Sequence, residues 1–221
     1  MRMEIASSPT SLHERGGVKC LSDHRGRQLL ITPKIEHTRN LNKNRNMVFE
    51  NKIISREIGD ILYATGLTVS TAESCTGGRI GENIMATPGA SNYFKGGIIS
   101  YTNEIKERLL QVSADTLNEK TAVCEEVARQ MVLGAINTMK TDFAVSSTGV
   151  AGPGGGTPQT PVGTIWIACG SKDNIVTLKL TEDFGRDINI AIATNKALRL
   201  FLDFLNENKV GVEMMDNEKN P

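Results

Sequence analysis

Thr71-Ala72-Glu73-Ser74-Cys75-Thr76-Gly77-Gly78 follows the apolar run Leu67-Thr68-Val69 and precedes a segment with Ile80, Ile84 and Met85 at helical spacing. The order reads as a strand, a short polar turn closed by two glycines, and a helix. Such a turn puts a hydroxyl at a strand end beside the unpaired N–H groups of a helix start, where developing negative charge is favoured. The same residues also suit a plain capping turn with Ser74 or Thr76 as N-cap.

On either side of this turn the chain alternates helices and strands. Ile53, Ile54, Ile58, Ile61 and Leu62 recur at helical spacing between Phe49 and Ala64, and Gly66 follows as a C-cap. Beyond the turn, Pro88–Asn92 breaks the pattern and 96–101 reads as a second strand, with Thr102 as N-cap of a short helix. Glu125–Met139 is amphipathic, and Phe143–Thr148 is apolar enough for a buried strand. It runs into the glycine-rich stretch Gly149–Gly156. Val162–Cys169 and Ile175–Leu180 read as further strands, and a closing helix spans about 187–205. Alternation of this kind predicts a three-layer α/β/α sandwich on a mixed, largely parallel sheet, with ligands beyond the carboxyl ends of its strands. The Ser74 turn, Tyr101–Lys106 and Thr148–Gly156 all fall at such ends.

The 221 residues carry a formal charge of zero, which hides an asymmetry. Residues 1–46 hold nine basic residues against four acids, a net of +5, and the remainder holds 16 against 21, a net of −5. That leader lacks sustained periodicity; only Gln28–Thr32 suggests a strand, closed by Pro33. Residues 1–46 are expected as a disordered basic extension or the product of an upstream start, 47–207 as the folded domain, and 208–221 as a polar tail. A transit peptide is the lesser reading of the leader, given its acids. An acidic body argues against nucleic-acid binding. No apolar run approaches a membrane span. Cys20, Cys75, Cys124 and Cys169 lie far apart without zinc spacing, in keeping with a reduced, cytoplasmic protein.

All three histidines (His13, His24, His37) lie in the leader, so the body cannot build a Ser-His-Asp triad, a Cys-His dyad or a histidine metal site. The glycine run lacks the lysine of a Walker loop and the register of a dinucleotide fingerprint. What remains is a hydroxyl with a lysine base, whose amine must first be held below its ordinary pKa of about 10.4 by burial or positive potential. Lys106, in a first helical turn, is the candidate, or else a solvated surface lysine. Cys75 is a competing nucleophile or buried packing. Tyr101 and Thr148 are possible relay or orienting hydroxyls, or strand residues without chemistry.

Ala72–Gly78, Gly97–Lys106, Ser147–Gly155 and Pro161–Thr164, in that order, resemble the CinA carboxy-terminal domain family of bacterial nicotinamide-mononucleotide deamidases. The resemblance covers about Glu50 to Leu205. It implies hydrolysis of the carboxamide of nicotinamide mononucleotide to nicotinate mononucleotide and ammonia, by a serine/lysine mechanism that uses no metal or cofactor. It further implies Ser74 as nucleophile, Lys106 as general base, and Tyr101 and Thr148 as assisting hydroxyls. Glu73, Cys75, Thr76, Gly77, Gly78 and Asn103 are expected against the substrate, with N–H groups near Cys75–Gly78 holding the oxyanion. Gly149, Gly152, Gly154, Gly155 and Arg186 are candidates for the phosphate and ribose. A homo-oligomer, a dimer, is expected, with neither nucleic acid nor membrane as partner. The large amino-terminal domain of longer members has no counterpart in residues 1–46, so its activity is expected to be absent. The alternative is a non-catalytic nucleotide-binding or competence- and damage-associated regulatory module.

Overall fold

The computed structural model describes residues 12–15, 18–22, 28–30 and 33–211, with side chains from Met47 to Gly211. The chain divides into two units, Met1–Asn46 and Met47–Pro221. In the first, β1 (Leu12–Arg15), β2 (Val18–Ser22) and β3 (Gln28–Leu30) form an antiparallel sheet in that order. The sequence pattern suggests only the last of these within a disordered extension. Pairing between neighbouring short segments satisfies backbone groups without any side-chain periodicity to announce it. Of the expected polar tail, residues 212–221 lie outside the described residues.

The second unit is built on five strands. Helix α1 (Pro33–Thr65) begins upstream of the expected Phe49 and leads into β4 (Val69–Glu73). There follow α2 (Arg79–Met85), β5 (Phe94–Ile99), α3 (Asn103–Leu110) and α4 (Ala114–Lys120). Next come α5 (Glu125–Met139), β6 (Phe143–Gly149), β7 (Ile165–Gly170), β8 (Ile175–Leu180) and α6 (Arg186–Glu207). The sheet order is β5-β4-β6-β7-β8. β4 is parallel to both neighbours and β7 antiparallel to both of its own, so four strands share one direction. The mixed, largely parallel α/β/α sandwich is therefore the fold.

Strand alternation divides the core into two layers. Val69, Phe143, Val145, Ile165 and Ile167 pack with α1, α2 and α6. Ala72, Ala144 and Ala168 pack with α3, α4 and α5. Small residues on this second face let α5 lie close to the sheet. Gly134 of α5 brings α3 equally close, since a Cβ there would stand 2.0 Å from the Leu110 carbonyl oxygen.

The boundaries differ from the sequence reading where burial decides them. β4 takes in Thr71, Ala72 and Glu73, the first three residues of the expected turn, because pairing on both edges buries every one of its residues. Helix α4 was not legible as such; Ser113 caps it, accepting from the Thr116 N–H at 3.4 Å. The strand expected from Val162 starts at Ile165, since Gly163 has a φ of 90° and the Thr164 N–H turns back to Pro161.

Replacing Gly134 by alanine is expected to push α3 off α5 and lower stability by about 2–3 kcal/mol, an overpacking cost. Thermal unfolding measures this, and a Tm equal to that of the parent protein would contradict the close approach.

Candidate active site

Period-two alternation parts the two residues at the end of β4. Glu73 turns to the α2 side, and Ser74 to the side where α3 stands. The Ser74 N–H donates to the Ser147 carbonyl of β6 at 2.9 Å, and its own carbonyl accepts from Gly77 at 3.2 Å. In α3, Thr102 is the N-cap, accepting from the Ile105 N–H, and Lys106 and Leu110 share the buried face one turn apart.

Lys106 is 1% exposed. Its Nζ donates to the Ser100 carbonyl at 2.7 Å and lies 3.3 Å from Ser74 Oγ. Burial holds the amine below the usual lysine range, opposed in part by neighbouring Cys75. The physical cause is loss of solvation of the ammonium, the first of the two causes that the sequence offers. Cys75 is itself buried, which pushes its thiol up to about 12. A neutral thiol is a poor nucleophile, so the hydroxyl beside the amine is the better one.

Ser74, Cys75, Tyr101, Asn103, Lys106 and Thr148 line one cleft of about 300 Å³, together with Gly149–Gly152, Gly154, Gly155 and Arg186. Ala122 and Val123 form its further wall. No acid lines this cleft, whose basic side chains are Lys106 and Arg186. The cleft is the size of a small ligand site, and its charge suits an anion. Arg186, the first residue of α6, donates from Nη1 to the Gly152 carbonyl at 2.8 Å and so fastens the glycine loop.

Other expected site residues stand differently. Tyr101 is 65% exposed at the cleft. Thr148 is buried, and its hydroxyl donates to the Ala122 carbonyl at 2.7 Å. Its single proton is thereby spent on the cleft wall, leaving it acceptor capacity only. Glu73, Thr76, Gly77 and Gly78 do not line the cleft. The Glu73 carboxylate accepts from the N–H groups of Gly78 (3.0 Å), Ile80 (3.1 Å) and Gly81 (2.8 Å) and from Thr76 Oγ1 (2.6 Å). Its expected place against the substrate is corrected accordingly: the start of α2 is already occupied by an internal anion. Neither Ser74 nor Thr76 caps α2, whose N-cap is Gly78 at φ 97°.

The oxyanion donors narrow for the same reason. The N–H of Gly77 is taken by Ser74 and that of Gly78 by Glu73. In this turn, among the described residues, the N–H groups of Cys75 and Thr76 make no bond to another residue. Two contributors were not identified in the sequence. Ser100 acts through its carbonyl, which no side-chain signal marks. The Ala122–Val123 wall follows α4, itself unrecognised.

Residues 51–205 match the sequence profile of the CinA C-terminal domain. The chain belongs to the CinA C-terminal domain family. A CinA-like protein of Leptospira borgpetersenii is 46% identical over 120 residues, covering 54% of this chain and 29% of the relative. The crystal structure of the competence/damage inducible protein CihA from Agrobacterium tumefaciens is 34% identical with a TM-score of 0.68, covering 70% of this chain and 95% of that one. That of the competence damage-inducible protein A from Klebsiella pneumoniae is 30% identical, also at a TM-score of 0.68, with 71% and 97% covered. The chain spans 29% to 38% of the length of curated relatives it matches. Among the described residues, no helix is long and apolar enough to cross a membrane.

A buried lysine whose pKa falls on folding binds fewer protons in the native than in the unfolded state. Between those two values stability therefore rises with pH. Lys106→Met removes this slope. The variant is expected to melt above the parent protein at pH 7, with the gap closing as pH rises toward about 10.4. Thermal melts across that range check it, and a gap constant with pH would contradict the depressed amine.

Proposed function

We propose that this CinA domain hydrolyses the carboxamide of nicotinamide mononucleotide, giving nicotinate mononucleotide and ammonia. The observation that carries the reading is the desolvated Lys106 amine 3.3 Å from Ser74 Oγ, at the floor of a cleft without acids. In the neutral amine two N–H groups and one lone pair remain; donation to the Ser100 carbonyl leaves the lone pair for the Ser74 proton. Oγ attacks the amide carbon as its proton passes to Nζ. The oxyanion forms against the N–H of Cys75, the residue of the turn next to Ser74 that lines the cleft. Lys106 then returns the proton to the departing nitrogen, ammonia leaves, and an ester on Ser74 remains. Water, deprotonated by the same amine, attacks that ester and releases the acid.

Arg186 and the N–H groups of the glycine loop are the proposed seat of the phosphate, being the remaining cation and the closest-approach backbone of the cleft. The exposure of Tyr101 at the cleft supports a role in covering a bound ring.

Ser74→Ala and Lys106→Ala are each expected to lower kcat for ammonia release by a factor on the order of 10³ or more, with native circular dichroism. In the parent protein kcat/KM is expected to rise with pH as the amine loses its proton, and to level off below about 10.4. A coupled ammonia assay reads both. Nicotinamide mononucleotide that raises Tm without releasing ammonia would leave the cleft a binding module and overturn the hydrolase reading.

A further inference from the structure

We propose that Glu73 is a positioning residue for the nucleophile, a role that rests on the hydrolase reading above and assigns the start of α2 to catalysis instead of substrate binding. Glu73 is 1% exposed. A carboxylate out of water costs several kcal/mol unless its oxygens are satisfied. Among the described residues it forms no ion pair, and its partners are three backbone N–H groups and one hydroxyl. Those donors lie at residues 76, 78, 80 and 81, so the carboxylate draws the chain beyond Ser74 back over the end of β4. Gly77 and Gly78, at φ 61° and 97°, supply the reversed backbone that this closure needs.

Ser74 sits inside the closed loop, held at both of its backbone polar groups. The loop is also tied to the next strand. Thr76 has one proton, which goes to Glu73, so the 2.6 Å contact between Thr76 Oγ1 and Ser147 Oγ carries the Ser147 proton. The same Ser147 accepts the Ser74 N–H through its carbonyl. One carboxylate thus fixes the turn against β6 on one side and α2 on the other. The Ser74–Lys106 separation of 3.3 Å is at the long end for a hydrogen bond, so small displacements of the turn decide whether proton transfer occurs.

Glu73→Gln keeps the shape but offers one acceptor oxygen and an N–H₂ group facing N–H donors. We expect kcat for ammonia release at least tenfold lower, KM within twofold, and an unchanged position of the rising limb of the pH profile. Labelling of Ser74 by a fluorophosphonate is expected to slow at least tenfold, and Glu73→Asp to recover part of both rates. Thr76→Val, which removes only the hydroxyl link, is expected to lower both rates in the same sense and carries the test if Glu73→Gln does not fold. Unchanged kcat and labelling in the folded variants would overturn the proposal, as would a raised KM at constant kcat, the sign of a substrate contact. Should the parent protein label at Ser74 yet release no ammonia, the substrate assignment falls while the labelling rates still judge Glu73. A parent Ser74 that does neither overturns both.

Discussion

An ammonium on Lys106 would stand nearly out of reach of water, with a peptide carbonyl as its main partner and no carboxylate lining the cleft. Everything else about the site follows from that constraint. A lysine placed this way is costly as a cation, and the cost is what makes it useful as a base. An acid in the cleft would ease the cost and cancel the basicity. The cleft instead contains hydroxyls, a neutral thiol and glycine backbone, none of them a negative charge that would hold a proton on the resting amine.

The fold supplies this environment by close approach on two sides. Gly134 lets α3 sit against α5, which drives Lys106 toward the sheet. On the opposite face, Glu73 draws α2 over the strand end and leaves Ser74 pointing the other way. Alternation along β4 and into Ser74 is enough to separate a structural anion from the hydroxyl that lines the cleft by one residue. Thr148 shows the same economy one strand over, since its hydroxyl braces the Ala122 wall while its backbone ends β6 at the cleft.

Much of the architecture was legible because its signals are local. The apolar spacing of α5 and α6, the Thr102 cap and the strand at Ile175–Leu180 are each written in one short continuous stretch of chain. Where the reading slipped, long-range burial overrode local composition. Thr71, Ala72 and Glu73 look like turn residues and form strand because β5 and β6 flank them. Glu73 looked available to a ligand because sequence does not record that the amides of Gly78, Ile80 and Gly81, at the start of α2, reach it first. The start of α2 looked like an anion seat for the same reason, and it is one, filled from within.

By itself the sequence determined the alternating α/β order, the absence of histidine from the body, and the motifs that place the chain in its family. It left Lys106 between a surface charge and a base, and Thr148 between an orienting hydroxyl and a strand end. The tertiary structure buries Lys106 and turns the Thr148 hydroxyl onto the Ala122 carbonyl. Solvation of an amine and the direction of a hydroxyl proton depend on atoms brought in from distant segments: Ser100 and Cys75 for the first, Ala122 for the second.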